Sequence, residues 1–169
     1  MTESTSPADD LAQLRDVIKG QRTCMLATID RDGRIVSRPM SVQDAPFDGD
    51  LWFLAELESE TIAELERDAH ASAIFATGDA WASVAGSASI VRDVERKREF
   101  WGPFTEAFFG KRGPEDESIV IIRLQGERGE YWTSHTGPRV LVELLASKVS
   151  GHRAETGDNA EVDLDRATA

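Results

Sequence analysis

Apolar positions along the first third of the chain change period twice. Leu11, Leu14, Val17 and Ile18 recur at helical spacing. Ser6-Pro7-Ala8-Asp9 precedes them with start signals: a capping serine, a proline suited to the first turn, and Asp9 completing a box-like pattern. Gly20 ends that helix. Thr23 to Ile29 then reads as a strand, rich in apolar and β-branched residues. Asp32-Gly33 predicts a two-residue hairpin turn, and Ile35 to Val42 returns from it. A second turn, Asp48-Gly49-Asp50, opens the strand Leu51 to Ala55. Ser59 can cap a short helix whose inner face is Ile62, Leu65 and Ala69.

Ala71 to Thr77 and Trp81 to Val91 continue as strands, the second rich in small residues that suit close packing. Asp93 caps a further helix, which Gly102-Pro103 interrupts. Phe100, Trp101, Phe104, Phe108 and Phe109 crowd this stretch, a pattern typical of core or of a subunit contact. Ser118 to Leu124 and Gly129 to Thr133 read as two strands with Gln125 to Arg128 as the turn between them. Pro138 opens a last helix carrying Val140, Leu141, Leu144, Leu145 and Val149 on one face. From His152 onward the chain is polar and acidic, with Val162 and Leu164 its strongly apolar exceptions. This predicts one domain over residues 1–151 and a disordered acidic tail over 152–169. Six to seven antiparallel strands joined mostly by hairpin-like links, with short helices, predict a mainly β protein: a β-barrel with peripheral helices.

Within the Ile35–Val42 strand the alternation carries an anomaly. Val36, Met40 and Val42 share one face, and Arg38 lies among them. A guanidinium on an apolar face needs an anionic partner, which a bound phosphate or a carboxylate of the protein itself can provide. Pro39 has no N–H for a ladder, so the strand is irregular or edge-like here.

Composition narrows the functions. A net charge of −12 argues against broad contact with nucleic-acid phosphates or anionic lipid. One cysteine, Cys24, permits no intrachain disulfide and no thiolate metal cluster. The polar N-terminus has no signal-peptide core, and no apolar run approaches membrane-spanning length, so a cytoplasmic protein is expected. His70, His135 and His152 are far apart, and the sequence holds no zinc-binding, P-loop, nucleophile-elbow or dinucleotide glycine motif. No metal site and no catalytic acid–base pair can be nominated. Glu64 and Glu66 read as a solvated helix face. An enzymatic activity would have to come from a bound cofactor.

Five segments, in this order, resemble the pyridoxamine 5′-phosphate oxidase-like superfamily in its general stress protein branch. They are Met25-Leu26-Ala27-Thr28-Ile29-Asp30 through Ser37-Arg38-Pro39-Met40, Leu51 to Ala55 with the Ser59 helix, Trp81-Ala82-Ser83-Val84-Ala85-Gly86, Phe100-Trp101-Gly102-Pro103-Phe104, and Val120 to Leu124 with Glu130-Tyr131-Trp132. The resemblance covers roughly residues 10 to 149. It implies a split β-barrel, a homodimer, and flavin mononucleotide (FMN) at the subunit interface, with flavin-dependent oxidoreductase activity. It implies that Arg38 clamps the flavin phosphate by two parallel hydrogen bonds. Pro39, Met40 and Ser41 would run beside the isoalloxazine ring, with Leu54 and Ala55 on the next strand. Ser59 and Thr61 would donate to the phosphate, and Trp132 would reach the ring from the partner subunit.

Ser59-Glu60-Thr61 departs from the basic Ser-Arg-Lys-like triplet of many relatives, and Ala55 stands where a threonine is common. Hydrogen bonds to a charged group are worth roughly 1.5–3 kcal/mol each, so two lost cations weaken phosphate binding unless Arg34, Arg92 or a second subunit replaces them. Two alternatives therefore stand beside the FMN reading. One is a dimeric barrel with a weakened or lost flavin site acting as a binding or stress module. The other is a relative that uses a deazaflavin or another phosphorylated ligand.

Overall fold

Turn chemistry and strand period place seven strands in one antiparallel sheet. The computed structural model describes residues 7–134 and 157–167. The strands are β1 (Thr23–Ile29), β2 (Ile35–Ser41), β3 (Asp50–Glu56), β4 (His70–Ala76), β5 (Ala80–Val91), β6 (Ile119–Ser134) and β7 (Gly157–Asp163). The helices are α1 (Pro7–Ile18), α2 (Glu60–Arg67), α3 (Val94–Phe100), α4 (Pro103–Phe109) and α5 (Leu164–Ala167). The strand order is β2-β1-β4-β5-β6-β3, with β7 paired to β6. Among the described residues no helix is long and apolar enough to cross a membrane. The expected mainly β barrel with peripheral helices is what forms. The helix expected from Pro138 lies outside the described residues.

Three expectations about local structure change. The β1–β2 hairpin loop has three residues rather than two. Asp30 N–H donates to the Arg34 carbonyl at 2.8 Å, and Gly33, at φ 77°, supplies the left-handed position such a loop requires. The predicted turn at Gln125–Arg128 is absent, and β6 runs through it as one strand of 16 residues. A register shift between Ala85 and Gly86 absorbs the irregularity, with Ala85 opposite Arg128 and Gly86 opposite Gly126. Gly86 makes this possible: a Cβ there would stand 1.9 Å from the Gln125 carbonyl oxygen. Finally, the stretch expected to be a disordered tail contains β7 and α5. Its two strongly apolar residues explain this, because Val162 and Leu164 are buried in the main core.

That core fills the barrel with Leu14, Leu26, Phe53, Phe75, Val84 and Ile122, each at most 1 % exposed, among others. A second, smaller core lies on the other side of β3 and β6, where Leu54, Ile119 and Ile121 meet Phe100 and Phe109 of the α3–α4 pair. β3 is thus covered on both faces, which accounts for its unbroken apolar run. The two ends of the strand order meet through one isolated bridge, Val42 to Phe53, with Gln43 N–H donating to the Trp52 carbonyl at 2.9 Å. This seam is the split in the barrel, and the candidate site lies beside it.

Candidate functional site

Hydrogen-bond parity along β2 decides which of its backbone groups face outward. Val42 N–H donates to the Arg22 carbonyl at 3.0 Å, and Met40 and Arg38 pair in the same register with Cys24 and Leu26 of β1. In an antiparallel ladder the intervening residues turn their N–H and C=O away from the partner strand. Ser37, Pro39 and Ser41 therefore present their backbone to the open edge of β2. Pro39 sits where its missing N–H breaks no ladder bond, as an edge strand allows.

The side chain of Arg38 points the other way, and two carboxylates of the same chain meet it. Its guanidinium forks onto Glu64, donating to Oε2 at 2.6 Å and Oε1 at 2.9 Å. A further N–H reaches Glu60 Oε2 at 3.2 Å. Thr28, from β1, donates its hydroxyl to Glu64 Oε2 at 2.7 Å. The Glu64 side chain is 9 % exposed, that of Arg38 31 % and that of Glu60 86 %. Of the two partners open to Arg38, the structure supplies the carboxylate. Glu64 was expected on a solvated face and is buried instead. It lies three residues after Thr61 and one before Leu65, both buried, so it falls on the inner stripe of α2. Ala69, expected on that stripe, lies beyond the helix and is exposed.

The Arg38 hydrogen bonds hold the Glu64 carboxyl below the usual carboxylate range, and the Thr28 hydroxyl adds to this; burial opposes both. Arg38 is raised correspondingly by Glu64. A carboxyl whose pKa falls on folding stabilises the native state above its unfolded value, near pH 4.3, and loses that contribution as pH falls through the folded pKa. The stability gap between the natural protein and Glu64→Gln is therefore expected to be full at pH 7 and to shrink below about pH 4. Urea denaturation at a series of pH values measures it; a gap independent of pH would contradict the assignment.

Beside the cluster, Pro39, Met40, Ser41, Leu54, Phe104 and Phe108 line a cleft of about 80 Å³, together with Gln43, Thr105 and Phe109. Four of the nominated residues thus come together against α4: Pro39, Met40, Ser41 and Leu54. Ala55 does not line the cleft and is buried in the main core. Ser59 caps α2, its hydroxyl accepting from Ile62 N–H at 3.4 Å, and Thr61 is buried at 6 % exposure. Trp132 lies on β6 opposite Trp81 of β5, partly exposed and away from the cleft lining. The α4 residues Phe104 and Phe108 are the cleft's exposed rim, at 66 % and 72 %. Sequence reasoning placed them in a core or a subunit contact rather than at the site.

A larger groove of about 680 Å³ opens on the other side of the seam, between the end of α1 and the 43–48 loop. Arg15, Arg22, Asp44, Phe47 and Trp52 are among its walls, and none of the nominated residues is. Its size alone does not assign it chemistry, and one wall is already committed, since Arg15 Nε donates to the Phe47 carbonyl at 3.1 Å.

Other reactive groups are accounted for. Burial pushes the Cys24 thiol up to about 12, so it offers no thiolate. His70 is exposed, its Nδ1 2.7 Å from Asp68. His135 and His152 lie outside the described residues. Among the described residues no group of histidine, cysteine or carboxylate side chains could hold a metal ion.

Comparison with known proteins agrees with this architecture. A Neurospora crassa protein, bli-3, is 33% identical over 130 residues; the match takes in 70% of this chain and 62% of that protein, so the chain spans less than two thirds of its relative's length. General stress protein 26 from Bacillus anthracis superposes with a TM-score of 0.63 at 26% identity, covering 72% of this chain and 92% of that one. A Clostridium acetobutylicum protein related to general stress protein 26 superposes with a TM-score of 0.70 over 95% of this chain and 98% of its own, at 14% identity, which speaks to the fold alone. The model of the family described as pyridoxamine 5′-phosphate oxidase like matches residues 9–155. Nearly the whole barrel lies within that match, and the chain belongs to the pyridoxamine 5′-phosphate oxidase-like family.

Proposed function

We propose that the protein is a flavin-binding split barrel that works as a homodimer, with the flavin ring seated on the Pro39–Ser41 edge against Leu54 and α4. The observation that carries this is the cleft itself. It joins an apolar wall, Met40, Leu54 and Phe109, to outward-facing backbone groups at Pro39 and Ser41. A flat ring with a polar margin needs both.

The cleft of one protomer is only part of a seat. About 80 Å³ is well below the roughly 300 Å³ at which small-molecule pockets begin. Phe104 and Phe108 stand exposed on its rim. A second copy covering that rim would complete the enclosure and bury the two rings. Trp132, exposed on β6, remains the proposed contact from the partner subunit.

The fit to FMN is uneven. The ring half of the site suits it. The phosphate half does not, because Arg38 is already neutralised by Glu64 and Glu60, Ser59 caps its own helix and Thr61 is buried. A flavin seated in the cleft would supply hydride or electron transfer, and oxidoreductase activity rests on that seat. The uneven fit also favours the second reading, a dimeric stress-response module whose flavin site is weakened.

Titration of riboflavin or FMN fluorescence against the purified protein tests the proposal. Quenching that saturates below about 100 μM is expected, and Leu54→Arg, which places a long charged side chain in the cleft wall, is expected to raise Kd at least tenfold. Light scattering on the same sample is expected to give twice the 18.6 kDa chain mass. No saturation with either flavin would leave the module reading in its place.

A further inference from the structure

The position at which a phosphoryl tail would meet Arg38 holds two carboxylates. Glu64 takes both faces of the guanidinium fork, at 2.6 and 2.9 Å, and Glu60 stands outside it at 3.2 Å. One guanidinium against two carboxylates leaves the cluster with a net charge of −1. Nearby cations do not reverse this. Arg34 is held by Asp32 at 2.6 Å. Arg67 keeps its charge while donating to the neutral Ile29 carbonyl at 3.3 Å, and it acts on Glu64 as the smallest of the influences on that carboxylate, offsetting the excess in part. Arg92 acts on Lys97 of α3, a different part of the fold.

Displacing Glu60 would cost little, since its side chain is mostly in water. Displacing Glu64 would strand a buried carboxylate, because its other partner is a single hydroxyl, Thr28. An arriving phosphate monoester, with a charge near −2 at neutral pH, would thus meet both acids without gaining a free cation.

We infer that the cleft takes a planar heteroaromatic ring that carries no phosphoryl group. The Glu60–Arg38–Glu64 cluster closes the phosphate position from within the chain and makes the site discriminate against phosphorylated forms of its ligand. This rests on the flavin reading above and names the ligand class within it. Affinity would come from the ring alone, through the apolar wall and the β2 edge. Selectivity would come from like-charge repulsion, which is screened by salt.

The test compares riboflavin with FMN, which share the ring and differ in the phosphate, by fluorescence titration of the full-length protein at low and high salt. Riboflavin is expected to bind more tightly than FMN, by about threefold to tenfold at low ionic strength, with the preference narrowing in high salt. Glu60→Lys, at an exposed position that leaves the core untouched, is expected to invert the preference by tightening FMN binding. Tighter binding of FMN than of riboflavin by the natural protein would overturn this inference and leave the flavin reading intact. Binding of neither would overturn both.

Discussion

Arg38→Met is expected to destabilise the fold by about 3 kcal/mol. Breaking a buried ion pair from one side costs about 3–5 kcal/mol, because it leaves the other charge unpaired in a poor solvent for it. Here the low end applies: Glu64 is buried, but the Arg38 side chain is 31 % exposed and water can reach the space it vacates. The double variant Arg38→Met/Glu64→Met is expected to recover most of the loss, since apolar side chains of similar length fill the site without an unpaired charge. Urea denaturation of the natural protein, both single variants and the double variant gives the coupling energy, expected to exceed about 2 kcal/mol. An ordinary surface pair would give at most about 1 kcal/mol, and that result would mean that Arg38 and Glu64 behave as a solvated contact. Salt helps to separate the cases, because a surface pair weakens with ionic strength far more than a buried one.

Gly86→Ala is expected to cost at least as much, by a different route. The added methyl would lie 1.9 Å from the Gln125 carbonyl oxygen and 2.9 Å from its carbonyl carbon. Neither atom belongs to a side chain that could rotate away. Both are backbone of β6, which is bonded to β5 on one edge and to β3 and β7 on the other. Ordinary overpacking costs about 1–3 kcal/mol when side chains can give, so a backbone collision is expected to reach about 3 kcal/mol or more. Thermal and urea denaturation against the natural protein measure it. Ser87→Ala one position along is the control: Ser87 is half-buried and its hydroxyl donates to Glu127 at 2.7 Å, so a change of a few tenths to about 1 kcal/mol is expected there. Equal stability of Gly86→Ala and the natural protein would mean that the bulge relaxes, and that the close approach of β5 and β6 is not required.

The same residues show what could be read before the fold was known. Alternation alone put Arg38 on the inward face of β2, and the structure keeps it there. Its partner could not be read, because the relation of α2 to β2 spans 26 residues of chain and no local pattern encodes it. Glu64 was not legible either. The stripe read from Ile62, Leu65 and Ala69 leaves position 64 to one side, whereas the helix buries Thr61, Ile62, Glu64 and Leu65 and ends before Ala69. Gln125–Arg128 looked like a turn because of its glycine and its polarity. That glycine marks close approach between strands, and the neighbouring polar residues point outward from a strand that continues. The tail misled by composition. Two apolar residues among many acids suffice to hold a strand when a partner edge is vacant, and β6 had one. Pro39 was legible in part, since its lack of an N–H suits an irregular strand or an open edge, and the structure has the edge.

The seam between β2 and β3 has an energetic corollary. Among the described residues every other neighbouring pair of strands shares at least three consecutive paired positions, whereas these two are joined by the Val42–Phe53 bridge and the Gln43–Trp52 hydrogen bond. At about 0.5–1.5 kcal/mol net per bond, prising this lip ajar costs roughly what thermal fluctuation supplies now and then, while the interior ladders stay intact. A guest entering beside Met40 can thus be accommodated by a small gape at one margin, and the rest of the scaffold need not register its arrival.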